Sequence, residues 1–144
     1  ALPVVPEDPG QPAAANSVDV AVARALTLVV PTGAAHPVAV VMADLPAATT
    51  QDLDQAFGRA AGWDRSAVAD ADEDGTTMLF ARTSDQLQTR YGPASSRRHQ
   101  ALGYRLLDAG ATIRRDVDTL DDLTVAARLG LGAQTQQVLD DALR

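Results

Sequence analysis

The stretch Val38-Ala39-Val40-Val41-Met42-Ala43-Asp44 decides the fold class, because a continuous apolar run ends directly on a carboxylate. Such a run is typical of a strand that is buried on both faces of a parallel sheet. Residues 16–30 before it and residues 49–61 after it repeat their apolar positions at helical spacing. The alternation of helices with buried strands predicts an α/β fold, a three-layer sandwich with a mostly parallel sheet.

The rest of the chain continues this alternation. Thr49 with Asp52 and Thr119 with Asp122 have the spacing of capping boxes, which open helices. Pro31 and Gly33 are expected to stop the first helix. The further predicted elements are strands at residues 2–5, 67–69, 76–81 and 112–114, and helices at residues 95–107, 119–129 and 135–143.

Length and composition limit the classes of protein to consider. The 144 residues suit a single domain, residues 1–144, and contain no cysteine for disulfides or thiolate chemistry. The net charge is −7, which argues against nonspecific nucleic-acid binding. No apolar run approaches the ~20 residues of a membrane span, and residues 1–6 do not resemble a signal peptide. We therefore expect a cytoplasmic protein without nucleic-acid or membrane partners. Its assembly into a homo-oligomer is possible.

Carboxylates at two places indicate a metal site. Asp44 follows the most convincing strand, and ligands of open α/β sheets gather beyond the carboxyl ends of strands. Asp116 and Asp118 are two residues apart, so in extended backbone they share a face at roughly 7 Å. At that separation two carboxylates repel by ~2 kcal/mol, and a divalent cation such as Mg²⁺ would turn this cost into binding energy.

Each of these carboxylates also has an ordinary structural explanation. Asp44 is equally well read as a turn residue before the next helix. Asp118 would then only help Thr119 to cap a helix, and Asp116 would pair with Arg114 or Arg115.

A second pattern indicates anion binding. In Arg90-Tyr91-Gly92-Pro93-Ala94-Ser95-Ser96-Arg97-Arg98-His99, a Gly/Pro turn leads into a Ser-capped helix, whose free N–H groups would suit a phosphate. Arg97 and Arg98 add positive charge, and His99 lies one helical turn after Ser95. The alternative is a polar loop whose arginines offset nearby aspartates. Separately, Asp74-Gly75-Thr76-Thr77 places hydroxyls at a strand start, which is also common in ordinary turns. His36 is expected to be solvated.

Together these segments resemble the CofC/FbiD family of guanylyltransferases, which act in coenzyme F420 biosynthesis. The family motifs occur here in order, as Ala-Asp-Leu-Pro at 43–46, a Gly-Thr strand start at 75–79, a Tyr-Gly-x-x-Ser-x-x-x-His loop at 91–99, and Asp-x-Asp-Thr-x-x-Asp-Leu at 116–123. A Leu-Gly-x-Gly segment at 129–132 follows them. The resemblance covers nearly all of this chain but only about the C-terminal two-thirds of such an enzyme.

The resemblance implies a fold of the nucleotide-diphospho-sugar transferase type and a transfer of GMP from GTP to phosphoenolpyruvate or 2-phospho-L-lactate. Asp44, Asp116 and Asp118 would hold Mg²⁺, with Asp44 and Asp118 catalytic. The small phosphorylated three-carbon acid would be bound by these residues: Thr76, Gly92, Ser95, Arg97 and Arg98.

This sequence departs from the family pattern in three ways. Leu120 replaces a proline, and Glu73-Asp74 replaces a Gly-Thr pair beside the substrate site. The family's N-terminal basic nucleotide loop has no counterpart, and the chain contains no lysine. Two alternatives therefore stay open, a non-catalytic phosphate- and metal-binding module, and a transferase that uses another nucleotide and acceptor.

Overall fold

The computed structural model describes residues 17–30 and 36–142 of the chain. The elements in this part are α1 (Ser17–Val29), β1 (Val38–Val41), α2 (Thr50–Ala60), β2 (Arg65–Ala69), β3 (Thr76–Ala81), α3 (Ser95–Ala101), β4 (Arg105–Leu106), α4 (Leu120–Leu129) and α5 (Ala133–Ala142). Short 3₁₀ turns occur at Ser84–Gln86 and Ala111–Ile113. The predicted α/β class is confirmed. The predicted strand at residues 2–5 and the helix stop at Pro31 and Gly33 lie outside the described residues.

The four described strands form one mixed sheet in the order β1-β3-β2-β4. β3 is antiparallel to both of its neighbours, and only β2 and β4 pair in parallel. β1, β2 and β4 therefore run in one direction. The expectation of a mostly parallel sheet is nevertheless wrong for the described strands, because two of their three pairings are antiparallel. The physical reason is the short turn at residues 70–75, because a parallel connection needs a crossover of a dozen or more residues.

Hydrophobic clusters lie on both faces of this sheet. On one face, Leu79 and Ala67 are fully buried and pack with Val18 and Val22 of α1. On the other face, Met78 and the neighbouring strand residues pack against α2 and the second 3₁₀ turn. The buried members of that second cluster are Ala56, Ala60, Val68, Met78, Phe80 and Ile113. Consecutive strand residues thus serve different cores, since side chains alternate across a sheet.

β1 is less buried than its sequence indicates. Its burial alternates along the strand, and 42% of Val41 is exposed to solvent. Among the described residues β1 pairs only with β3, so it forms an edge of the sheet. The prediction of a strand buried on both faces is therefore wrong in this part of the molecule, although the strand itself is present.

Two further predictions fail between residues 101 and 114. α3 ends at Ala101, well before residue 107, because Gly103 adopts a left-handed φ of 89° and the chain turns into β4. The expected strand at residues 112–114 is a 3₁₀ turn. In that turn Ile113 buries its side chain, and its carbonyl accepts a hydrogen bond of 2.8 Å from the Thr77 hydroxyl.

The helix starts agree well with the sequence. Thr49 caps α2 by accepting the N–H of Asp52, and Thr119 with Asp122 forms a complete capping box at α4. α4 ends at Leu129 as predicted, followed by Gly130 with φ 100°. Within residues 17–30 and 36–142, no helix has the length and apolar character needed to cross a membrane.

Candidate functional site

Polar side chains at the ends of three strands meet at one edge of the sheet. Asp44 follows β1, and Asp70 follows β2. Thr76 begins β3, which runs in the opposite direction, so its start lies at the same edge. This is the carboxyl edge of the three like-directed strands, where α/β proteins bind ligands.

A backbone hydrogen bond joins the two predicted acidic segments at this edge. The N–H of Val117 donates to the carbonyl oxygen of Asp44 at 3.1 Å. Because Val117 lies between Asp116 and Asp118, the bond brings the Asp-x-Asp segment beside Asp44. The structure therefore brings together two acidic segments that are far apart in the sequence.

The electrostatics of Asp116 show that these carboxylates act on one another. Burial raises the pKa of Asp116, and the negative charges of Asp70, Asp44 and Asp118 raise it further. Each effect disfavours the ionised form of this side chain. We refer to Asp44, Asp70, Asp116 and Asp118 as the acidic cluster.

One buried oxygen of the acidic cluster lacks a partner. Oδ1 of Asp44 is buried and has no hydrogen-bond donor among the described residues. A buried carboxylate oxygen without a donor is costly, and a bound cation would satisfy it. These observations fit a divalent cation, yet within residues 17–30 and 36–142 no three acidic or histidine side chains have the geometry of a complete metal site.

The arginines before the Asp-x-Asp segment are engaged elsewhere. Arg114 donates from Nη2 to the carbonyl of Asp70 at 2.8 Å and approaches Glu73 at 3.4 Å. Arg115 contacts Asp72 at 3.5 Å and Asp122 at 3.3 Å. Among the ion pairs of the described residues, neither arginine neutralises Asp116.

Capping of α4 likewise does not use the side chain of Asp118. The Thr119 hydroxyl accepts the N–H of Asp122, and the Asp122 carboxylate accepts the N–H of Thr119 at 3.0 Å. Within the described part of the chain, the side chain of Asp118 has no hydrogen bond or ion pair, and it is exposed. Both structural explanations for the Asp-x-Asp pair are therefore wrong here.

Sequence reasoning missed Asp70. Its carboxylate accepts the N–H groups of Asp74 at 3.0 Å and Gly75 at 2.7 Å, which closes the turn between β2 and β3. A Cβ at position 75 would lie 2.4 Å from Oδ2 of Asp70, so any other residue there would displace this carboxylate from the turn. An aspartate several residues before a glycine in an acidic turn is a weak signal for this contact, because Asp72 and Asp74 look equally suitable in the sequence.

A second group of polar side chains lies beside the acidic turn. The Thr76 hydroxyl is 2.9 Å from Nδ1 of His99 and 3.2 Å from the Ser95 hydroxyl. The backbone N–H of Arg90 donates to Nε2 of His99 at 2.9 Å. Burial lowers the pKa of His99 to about 4, so the ring is neutral near pH 7. We refer to Thr76, Ser95 and His99 as the hydroxyl–imidazole cluster.

The tip of α3 differs from its prediction. The N–H of Ala94 donates to the Asp74 carboxylate at 2.9 Å, and the N–H of Ser96 donates to the Asp74 carbonyl at the same distance. The N–H of Ser95 donates to the carbonyl of Gly92 at 3.0 Å. The expectation that this tip presents free N–H groups to an anion is therefore wrong, because Asp74 already occupies it.

The two arginines of this helix point to different partners. Arg97 lies 3.6 Å from Asp74 and is largely exposed. Arg98 donates from Nη2 to the carbonyl of Tyr91 at 2.9 Å. Both lie on the helix that carries Ser95, and the bond from Arg98 holds the loop before this helix.

Carboxylates and hydroxyl groups gathered at one edge of an α/β sheet make this edge a candidate site for a cation and a phosphorylated ligand. Comparison with curated proteins specifies the family. The chain is 40% identical over 133 residues to the phosphoenolpyruvate guanylyltransferase of Streptomyces scabiei, covering 91% of this chain and 61% of the relative. It is 43% identical over 112 residues to that of Sanguibacter keddieii, covering 74% and 39%. For that of Frankia casuarinae the identity is 37%, covering 96% and 47%.

The chain belongs to the phosphoenolpyruvate guanylyltransferase family. No family model matches it. The chain spans between about two fifths and three fifths of the length of the relatives described above.

Proposed function

We propose that this chain provides the metal- and acid-binding part of a cytoplasmic guanylyltransferase that transfers GMP from GTP to phosphoenolpyruvate in coenzyme F420 biosynthesis. A phosphate oxygen of the acid attacks the α-phosphorus of GTP, and pyrophosphate leaves. The observation that carries the proposal is the acidic cluster, in which the Val117–Asp44 bond joins two distant carboxylate segments. 2-Phospho-L-lactate is the alternative acceptor.

In this proposal Asp44, Asp116 and Asp118 hold Mg²⁺. When bound, the metal supplies positive charge that neutralises the phosphate oxygens. The unpartnered Oδ1 of Asp44 and the raised pKa of Asp116 support this assignment, since both describe carboxylates that lack a compensating charge. Asp70 holds the adjacent turn and adds a fourth negative charge.

The phosphorylated acid would bind at the hydroxyl–imidazole cluster. Thr76 and Ser95 offer hydroxyl donors, and Gly92 lies on the loop that leads to Ser95. Arg97 and Arg98 would position the acid once their present contacts to Asp74 and Tyr91 yield. Catalysis would then come mainly from orientation and electrostatics.

We further propose that the whole protein has the three-layer, nucleotide-diphospho-sugar transferase type of fold. The hydrophobic clusters on both faces of the described sheet support this proposal, with α1 packed on one face and α2 on the other. β3 would be the single reversed strand in an otherwise like-directed set.

The test is pyrophosphate release from GTP and phosphoenolpyruvate in the presence of Mg²⁺. Asp118→Ala should lower the rate by about 100-fold or more, on the scale of losing one electrostatic group of an active site. Asp121→Ala is the matched control, because Asp121 is an exposed aspartate in the first turn of α4. An unchanged rate in Asp118→Ala would refute the metal assignment.

A binding module is the second candidate, because the chain spans only part of its relatives. Such a module would bind phosphoenolpyruvate and Mg²⁺ without turnover. Isothermal titration separates the two, since phosphoenolpyruvate binding without GTP binding favours the module. A screen of other nucleoside triphosphates tests the remaining alternative, a transferase with another nucleotide and acceptor.

A further inference from the structure

The hydroxyl–imidazole cluster is buried and internally connected. Thr76, Ser95 and His99 are 6%, 2% and 0% exposed. Both ring nitrogens of His99 are engaged, one by Arg90 and one by Thr76. Since buried polar groups must find partners, the direction of each hydrogen bond in this cluster can be worked out from its donors.

The backbone of Arg90 sets the tautomer of His99. A backbone N–H can only donate, so Nε2 of His99 accepts this bond and carries no proton. A neutral imidazole then holds its single proton on Nδ1. The Nδ1–H therefore donates to the Thr76 hydroxyl oxygen, 2.9 Å away.

A count of protons gives the consequence for Thr76 and Ser95. The bond from His99 uses the ring proton, and the 3.2 Å contact between the two hydroxyls uses one hydroxyl proton. One hydroxyl proton is left, and it has no acceptor among the contacts of these three side chains in the described structure. With the other tautomer, both hydroxyl protons would be consumed and only an acceptor would remain.

We propose that His99 is a positioning residue, which makes the Thr76–Ser95 pair a hydrogen-bond donor toward the ligand. A spare donor suits a group that can only accept, namely an anionic phosphate or carboxylate oxygen. The inference rests on the proposed function for the identity of that group, the phosphorylated acid. It adds the reason why this pair selects an anion over a neutral, donating group.

The first experiment measures the tautomer without any ligand or activity. Imidazole ¹⁵N NMR distinguishes a protonated nitrogen from an unprotonated one. The chain contains two histidines, so His36→Gln assigns the signals of His99. We expect a neutral ring with the proton on Nδ1 at pH 7. A proton on Nε2, or on both nitrogens, would overturn the inference.

The second experiment tests whether His99 acts through Thr76. His99→Leu should weaken phosphoenolpyruvate binding about tenfold, the equivalent of one buried hydrogen bond. His99→Asn should recover most of the affinity, because its amide nitrogen takes the place of Nδ1. In a Thr76→Val background His99→Leu should have little further effect. Additive losses in this cycle would show a merely structural role and overturn the inference.

These measurements separate the inference from the proposed function. If inorganic phosphate binds with the same dependence on Thr76 and His99 while phosphoenolpyruvate does not, the inference stands and the proposed function fails. If neither anion binds, both fail. If phosphoenolpyruvate binds but the ring carries its proton on Nε2, only the inference fails. Should His99→Leu not fold, the tautomer measurement and the His99→Asn titration still decide the matter.

Discussion

The acidic cluster and the hydroxyl–imidazole cluster lie at the same edge of the sheet but differ in how their polar groups are satisfied. In the acidic cluster, Oδ1 of Asp44 has no donor within the described residues, and neighbouring charges raise the pKa of Asp116. In the hydroxyl–imidazole cluster, both nitrogens of His99 are hydrogen-bonded, and its ring is fully buried. The first cluster therefore lacks a positive charge, whereas the second is organised before any ligand arrives.

This difference indicates two roles. Carboxylates that repel one another store free energy that a cation can recover on binding. A buried network whose imidazole is hydrogen-bonded at both nitrogens holds its hydroxyls in one orientation, so that less ordering is needed when a ligand binds. The turn at residues 70–75 connects the clusters, since Asp70 belongs to one and Asp74 contacts the α3 tip beside the other.

Arg114 holds the start of the turn at residues 70–75, which connects the two clusters. Its guanidinium donates to the carbonyls of Ala69 and Asp70, so Arg114→Met removes these bonds and leaves the Asp70 carbonyl only the longer bond from the N–H of Glu73 at 3.3 Å. We expect the free energy of unfolding to fall by about 2 to 3 kcal/mol in denaturant titrations. Arg97→Met, at an exposed ion pair, should cost less than about 0.5 kcal/mol. Equal losses in the two variants would contradict the linking role of Arg114.

The hydrogen bonds of the hydroxyl–imidazole cluster depend on pH, because they need the neutral form of His99. The ordinary pKa of histidine is 6.5, and the folded value for His99 is about 4, so between these values the unfolded chain binds the extra proton. Stability should therefore fall as the pH drops below 6.5, by at most about 1.4 kcal/mol per pH unit from this residue. Thermal melts at pH 7 and pH 5 should show a larger loss in the wild type than in His99→Asn, which cannot titrate. Identical losses would mean that His99 is not buried in its neutral form.

In the acidic cluster, where carboxylates repel one another, Asp116→Asn is expected to stabilise the protein, whereas the preceding changes destabilise it. Without metal, removal of one repelling charge should raise the free energy of unfolding by about 0.5 kcal/mol. With Mg²⁺ the wild type should gain stability and the variant should gain much less, because ligands stabilise only the state that they bind. Asp121→Asn, on the exposed start of α4, should respond to Mg²⁺ as the wild type does. A full Mg²⁺ response in Asp116→Asn would remove this residue from the metal site.

The smallest effect is expected at Asp74, which separates the α3 tip from solvent anions. Asp74→Asn keeps an acceptor for the N–H of Ala94 but releases Arg97 and removes one negative charge. Stability should change by only a few tenths of a kcal/mol, and phosphoenolpyruvate should bind roughly twofold more tightly. Asp72→Asn, in the same turn but paired with Arg115, should leave the affinity unchanged. Weaker binding in Asp74→Asn would show that the carboxylate supports the site.

Local signals in the sequence predict the helices of this protein well. α1, α2 and α4 begin and end close to their predicted residues, because caps and apolar spacing act within one or two helical turns. β4 is missed, because the partners Ser66 and Ala67 select Arg105 and Leu106 through long-range pairing. The predicted strand at residues 112–114 fails for the same reason, since the buried side chain of Ile113 and the Thr77 bond favour a 3₁₀ turn.

The candidate site divides in a similar way. Asp44, Asp116, Asp118, Thr76, Ser95 and His99 were all identified from motifs and spacing. Their assignment to Mg²⁺ and to the phosphorylated acid stays a prediction. The part played by Asp70 and the occupation of the α3 tip by Asp74 could not be predicted, because several aspartates in residues 70–74 are equivalent until the turn is folded.

The sequence by itself determined the α/β class, the helix caps, the family and the residue types at the candidate site, because these depend on short-range patterns and on similarity. Only the tertiary structure decided that β3 runs against its neighbours, that Val117 binds Asp44, and that the N–H of Arg90 directs the proton of His99 toward Thr76. Each of these features joins groups that are far apart in the sequence. The direction of a hydrogen bond depends on which donor or acceptor the folded chain places opposite a given atom.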